Sequence, residues 1–144
     1  MKKLLIQKDS VTKDIKQAYG IYTKSVPFLL YPKVKEPFKN SWYDEDGDDE
    51  YLPEIPTYES YEMTIDFVYE GEPNTSNARI KSFLNFLQGG YFKLYDEYTG
   101  IGRQQVRYVS IDQDATLYRR EKDVVEFSVT FKVNDPTTQI TLAI

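Results

Sequence analysis

Two segments of this chain alternate apolar and polar residues with a period of two, and one helical pattern lies between them. The first segment runs from Tyr61 to Tyr69 and the second from Val125 to Val133. Because side chains along a strand point alternately to opposite faces, each segment predicts a strand with one buried and one exposed face. The predicted buried positions are Tyr61, Met63, Ile65, Phe67 and Tyr69 in one strand, and Val125, Phe127, Val129, Phe131 and Val133 in the other.

The helical pattern covers about residues 75–88. Apolar residues recur there at spacings of three and four, which is typical of a helix with one buried stripe. Capping residues precede the pattern, and Gly89 and Gly90 follow it where a helix commonly ends in a left-handed conformation. The predicted stripe is Ile80, Phe83, Leu84 and Leu87, and the predicted caps are Asn74, Thr75 and Ser76.

Shorter apolar runs between breaks predict further strands. They are Leu4–Gln7, Ala18–Thr23, Val26–Tyr31, Tyr91–Tyr95, Gln104–Ile111 and Ala115–Arg119. Together these elements predict an α+β fold of mainly antiparallel strands, a β-sandwich or small barrel with one flanking α-helix. A chain of 144 residues has the usual size of one domain, so we expect a single domain over residues 1–144.

The composition excludes several classes of function. The net charge is −5, which does not suit a protein that reads DNA or RNA sequence. Without His or Cys the chain lacks the usual general base, a thiolate nucleophile and the commonest metal ligand, so we expect no enzyme activity, no cofactor and no bound metal. The absence of Cys fits a protein made and kept in a reducing cytoplasm.

We expect no secretory signal and no membrane contact. The apolar run near the N-terminus, Leu4–Ile6, is too short for the apolar core of a signal peptide, and no run approaches the length of a membrane span. The 13 Tyr and 8 Phe residues suit surfaces that are packed on one side and wet on the other, which favours protein interfaces or, equally, a β-rich fold.

Residues 33–56 predict an extended loop. It combines lysines, the only Trp of the chain and six carboxylates between Asp44 and Glu50, and a protruding aromatic anchor between opposite charges is suited to a subunit contact. The alternative for Trp42 is packing on its own sheet. The acidic run is either a solvated turn or a site for a hard cation, although its spacing departs from that of a calcium-binding loop.

The C-terminal residues 137–144 form an apolar tail. One interpretation is an edge strand added to the chain's own sheet, and the other is strand addition to a neighbouring subunit. Either interpretation gives Ile140 and Leu142 an apolar partner.

The order of these motifs resembles the tail proteins of long-tailed bacteriophages and prophages, in particular the N-terminal domain of distal tail proteins and the related tail-tube fold. The resemblance covers most of the chain. Its residues are Tyr19-Gly20-Ile21, Lys35-Glu36-Pro37, Asn40-Ser41-Trp42, the strand from Tyr58 to Tyr69, Leu87-Gln88-Gly89-Gly90, Tyr91-Phe92-Lys93-Leu94-Tyr95-Asp96, and Phe131-Lys132-Val133-Asn134-Asp135-Pro136.

The resemblance implies a virion structural protein of the tail, made in the bacterial cytoplasm. Such proteins form homo-oligomeric rings, often hexamers, around a DNA channel and contact other tail proteins; tube, distal tail hub, terminator and completion roles remain open. The expected subunit interface comprises Lys35, Phe38, Trp42, Tyr43, Tyr51, Ile140 and Leu142. The residues themselves leave two alternatives, a small-molecule or carbohydrate-binding β-sandwich with a tyrosine-lined groove, and a carboxylate enzyme using a cation at the acidic loop.

Overall fold

The computed structural model describes residues 3–24, 26–37, 39–117 and 123–143. These residues form nine strands and two helices. In chain order the elements are β1 (Leu4–Lys8), β2 (Val11–Asp14), α1 (Ile15–Tyr19), β3 (Ile21–Thr23), β4 (Lys39–Asn40), β5 (Asp49–Glu50), β6 (Tyr61–Gly71), α2 (Ser76–Leu87), β7 (Phe92–Asp96), β8 (Ile101–Leu117) and β9 (Asp123–Val133).

Seven strands form one antiparallel sheet in the order β2-β1-β7-β8-β9-β6-β3, and β4 and β5 form a separate two-stranded ribbon. The two border strands are adjacent along the chain, since only α1 and Gly20 separate β2 from β3. The sheet is therefore curled into a half-barrel whose borders are joined by a helix of five residues. This confirms the predicted fold class of mainly antiparallel strands with a flanking helix.

The core lies on the concave side of the sheet. The predicted alternation is confirmed in β6 and β9, where Met63 to Tyr69 and Val125 to Val133 bury every second side chain. Their register places Phe67 opposite Phe127, and the two rings stack with centroids 5.5 Å apart. Such aromatic pairs contribute about 0.5–1.5 kcal/mol beyond the area that they bury.

Helix α2 covers this aromatic cluster and confirms the predicted helix. Phe83 and Leu87 are buried, and Ile80 and Leu84 are partly buried against the core. The ring of Phe83 lies 5.4 Å from that of Phe67, close to edge-on. Lys8 on β1 ties the C-terminal end of the helix to the sheet, because its ammonium donates to the carbonyl oxygens of Phe86 and Gln88. A cation is also favourable at a helix C-terminus.

One predicted strand is correct only in part, and another is wrong. Of Ala18–Thr23, Ile21–Thr23 forms β3, whereas Ala18 and Tyr19 end α1, because Asp14 caps Lys16 N and Gly20 adopts φ 71°, so that a short helix fits between them. Val26–Tyr31 contains no strand, since the N–H of Phe28 bonds to the carbonyl of Val26 only two residues earlier, which turns the chain.

Two other predictions need adjustment. Residues 115–117 continue β8 instead of forming a separate strand, and Tyr118 and Arg119 lie outside the described residues. Thr75 is the N-terminal cap of α2, but its hydroxyl bonds to Glu72 O and Tyr69 Oη instead of to a helix N–H.

Candidate subunit interface

A long ribbon leaves the sheet between β3 and β6. We call residues 29–59 the arm; Phe38, one of the expected interface residues, lies outside the described part. At its base Val34 bridges Tyr58, and backbone hydrogen bonds of 2.9 and 2.8 Å join Lys35 to Thr57 and Glu59 to Lys33. The arm is therefore a two-stranded extension held by its own hydrogen bonds.

The tip of the arm is a small hairpin. Lys39 and Asn40 pair with Glu50 and Asp49, and the intervening residues 41–48 are all exposed. Trp42 Nε1 donates a hydrogen bond of 2.9 Å to Asp49 Oδ2. The predicted loop over residues 33–56 thus has a defined backbone path without contributing to the core.

Exposed apolar side chains are concentrated on the arm. Tyr43 is fully exposed, and more than half of the Trp42 side chain is accessible. Among the described residues, nine of the twelve large hydrophobic side chains that are exposed belong to the arm, which makes it the main candidate for a protein contact. These nine are Leu29, Leu30, Tyr31, Val34, Trp42, Tyr43, Tyr51, Leu52 and Ile55.

The structure brings the arm members of the expected interface onto one ribbon. Trp42 and Tyr43 lie at the tip, Tyr51 follows β5, and Lys35 lies exposed near the base. Trp42 does not pack on its own sheet, the alternative that the sequence left open, because more than half of it faces solvent.

Leu29 forms the root of the arm. Its N–H donates to the hydroxyl of Tyr61 on β6 at 3.2 Å, and its carbonyl oxygen accepts from Arg103 Nη2 on β8 at 3.3 Å. Arg103 is only 2% exposed. Both backbone groups of one residue are thus held by side chains of the sheet, and sequence analysis missed this role of Arg103.

The tail lies against the chain's own sheet. The N–H of Ile140 is 3.4 Å from the carbonyl oxygen of Gly102, and Ile140 is partly buried, as is Leu142. A methyl group added at Gly102 would overlap the Ile140 carbonyl, so the contact is close. Residues 137–143 form no strand, although this contact is to the chain's own sheet. The subunit-interface role of Ile140 and Leu142 stays a prediction.

The border strands leave a groove beside α1. It has a volume of about 450 Å³, with the buried side chains Leu4, Ile15 and Ile21 in its lining. Tyr22 is the one tyrosine that lines this particular groove, whereas the carbohydrate-binding alternative predicts a groove lined by several tyrosines. Strand β3 pairs with β6 along one edge and ends the sheet on the other.

The acidic run is engaged with the arm itself. Asp49 accepts from Trp42, and the Asp48 carboxylate lies 3.7 Å from the Lys39 ammonium. Across the described part of the chain, which includes all of residues 44–50, no three acidic side chains are grouped in a way that would hold a metal ion.

Over the same described part, no helix combines the length and apolar character needed to cross a membrane.

A comparison with solved structures identifies the fold of this chain. The crystal structure of SPP1 Dit, described as a paradigm of the hub adsorption apparatus in phages that infect Gram-positive bacteria, superposes with a TM-score of 0.62 over 92% of this chain. The chain shares the fold of SPP1 Dit. The sequence identity is 15%, and the match covers half the length of the Dit chain. No protein-family model and no curated protein matches the sequence.

This match confirms the resemblance to distal tail proteins at the level of the fold. At 15% identity the likeness to Dit concerns backbone architecture, so the role of the arm has to be argued from this chain's own residues.

Proposed function

We propose that this chain is a non-catalytic structural subunit of a phage or prophage tail, which assembles with copies of itself into a closed ring around the DNA channel. The observation that carries the proposal is the arm, a hydrogen-bonded ribbon whose apolar side chains face solvent in the single chain. The shared fold with Dit favours the distal tail hub over the tube, terminator and completion roles.

An exposed apolar ribbon favours a protein partner. Monomeric proteins seldom expose contiguous apolar patches, and Trp and Tyr are the residues that most often dominate an interface when they become buried. Trp42, Tyr43 and Tyr51 supply three such side chains. Because the ribbon is already ordered by its base and tip pairs, little conformational entropy is lost when it docks.

The border strands offer a second set of contacts. The edge of β3 that faces away from β6 can accept hydrogen bonds from an extended segment, as unpaired strand edges commonly do. In a ring, every copy presents the same arm and the same border to its neighbours, so one type of contact repeated around an axis closes the assembly. Its partners are then other copies of itself and other tail proteins, and its location is the virion tail.

The net charge of −5 suits a ring around DNA, because the negatively charged protein repels the phosphate backbone and so binds DNA weakly while the DNA passes through the channel. The same charge argues against sequence-specific binding of nucleic acid.

Deletion of Lys35 to Pro53 tests the proposal. The deletion leaves Glu54, Ile55, Pro56 and Thr57 to connect Val34 with Tyr58, a loop of ordinary hairpin length. We expect the deleted protein to be folded and monomeric, and the full chain to assemble, as measured by size-exclusion chromatography with light scattering and circular dichroism.

A point variant and a matched control refine this test. Trp42→Ser with Tyr43→Ser should weaken assembly, whereas Tyr98→Ser removes an exposed tyrosine outside the arm and should leave assembly unchanged. A deleted protein that still forms rings, or a full chain that stays monomeric at high concentration, would overturn the proposal.

A further inference from the structure

We infer that Arg103 is a positioning residue for subunit assembly: it sets the direction of the arm and makes that direction depend on the C-terminal residues 136–140. This inference rests on the proposed function, since it concerns how the arm is presented to the next copy. It arises from one buried guanidinium that joins three distant parts of the chain.

The guanidinium spans segments that are far apart in the sequence. It reaches the arm root, the start of β8 on which it lies, and the C-terminal segment. Its hydrogen bonds run from Nη2 to Leu29 O at 3.3 Å, from Nη1 to Gly102 O at 2.8 Å and Gln139 Oε1 at 3.2 Å, and from Nε to Pro136 O at 3.0 Å.

All four acceptors are neutral oxygens, and among the described residues no carboxylate forms an ion pair with Arg103. A buried cation without a counter-ion depends on the direction of the dipoles around it, so the arrangement of these oxygens must be kept. Lysine cannot replace the planar fork, because a single ammonium does not hold acceptors on several sides at fixed angles.

The position of Leu29 makes Arg103 relevant to the arm. The N–H of Leu29 donates to Tyr61, and its carbonyl oxygen accepts from Arg103. The ribbon starts a few residues later, at the backbone hydrogen bond from the Glu59 N–H to the Lys33 carbonyl oxygen. If the carbonyl is released, the root can rotate about the remaining hydrogen bond, and a small rotation there is magnified along the length of the ribbon.

The C-terminal segment shares this anchor. Gln139 accepts from Arg103 and from the N–H of Gly102, and it donates to Gly100 O and Ile140 O. Displacement of residues 136–140 therefore removes two of the four acceptors of the guanidinium. A partner that moves this segment would loosen the arm root without touching the arm.

Trp42 allows a direct test, because it is the only Trp of the chain and lies at the tip of the arm. Time-resolved fluorescence anisotropy measures its nanosecond motion in the full-length chain at concentrations below assembly. Arg103→Lys should increase the amplitude of the fast component, and Gln139→Ala should increase it as well, although Gln139 lies in the C-terminal segment. Arg107→Lys, on the same strand, is the matched control and should leave it unchanged.

Assembly gives the second readout. Loss of a hydrogen bond to a charged group should raise the concentration for half assembly roughly tenfold in Arg103→Lys. Gln139 is exposed, so Gln139→Ala remains folded and keeps the test valid even if Arg103→Lys unfolds.

The outcomes separate this inference from the proposed function. Unchanged Trp42 motion in Gln139→Ala overturns the inference, whether or not rings form. Increased motion in a chain that never assembles supports the positioning of the arm and overturns the assembly function.

Discussion

Trp42 and Asp49 face each other across the tip of the arm, where the indole Nε1 donates a hydrogen bond of 2.9 Å to the carboxylate. This bond fixes the indole ring while about half of it, 52%, stays exposed. A ring held in place on an exposed hairpin is well prepared to enter a pocket on another copy, because its rotamer is already selected.

Trp42 should therefore report assembly. As the concentration of the full chain rises, its emission should shift to shorter wavelength together with the increase in mass measured by light scattering, because a docked indole leaves water. Tyr43→Ser, which removes a neighbouring contact, should move both transitions to higher concentration. A ring that forms with unchanged Trp42 emission would exclude the arm tip from the interface.

Phe67 should be among the most costly side chains to truncate. It contacts Phe83, Phe127 and Phe131 and is completely buried, so Phe67→Ala should lower the free energy of unfolding by about 3–5 kcal/mol. Thr64→Ala on the exposed face of the same strand should cost about 1 kcal/mol or less, because it removes one exposed hydrogen bond. Urea unfolding measures both, and equal losses would contradict the location of the core.

Gly102→Ala should release the C-terminal segment. The added methyl group would overlap the carbonyl of Ile140 and the ring of Tyr95, and overpacking of this kind costs about 1–3 kcal/mol. Because the tail is easier to displace than the sheet, hydrogen exchange at the Ile140 amide should accelerate while exchange in β6 and β9 stays slow. Ser110→Ala on the same strand is the control. Slow exchange at Ile140 in the Gly102 variant would mean that the contact is looser than described.

The turn after β9 should weaken in acid. Burial alone would raise the pKa of Asp135, but hydrogen bonds from Gln104 and Thr138 outweigh it and lower the pKa below the ordinary 3.8. The stabilising contribution is therefore complete above the unfolded pKa and is lost as the pH falls through the lowered folded value. The protection of the Thr138 amide against hydrogen exchange, measured by NMR relative to the intrinsic exchange rate at each pH, should fall at low pH, and Asp135→Asn should remove this dependence.

The sequence was sufficient to predict an element where one pattern repeats over many residues. The alternation over nine positions in β6 and β9, and the stripe from Ile80 to Leu87, each allow one arrangement that buries the apolar face, because any other register would expose it. The exposure of residues 44–50 was also predictable, since carboxylates at that density cannot share a core.

Shorter elements were decided by tertiary contacts. Helix α1 has five residues, too few for a periodic pattern, and its only local signals are Asp14 before it and Gly20 after it. The burial of Arg103 has no local signal, because its acceptors lie at Leu29 and Pro136, and a lone Arg after a turn is usually solvated. Gln105 has φ 54°, and β8 changes register against β7 near this residue, so alternation alone cannot place Arg103 on a face.

The short link through α1 has a consequence for the order in which the chain folds. The first 23 residues supply β1 and β2 at one border of the sheet and β3 at the other. The strands that join these borders to the rest of the sheet, β7 beside β1 and β6 beside β3, are made much later, between residues 61 and 96. The earliest part of a growing polypeptide must therefore wait on the ribosome until its partners emerge, and it then closes both sides of the sheet in one late step.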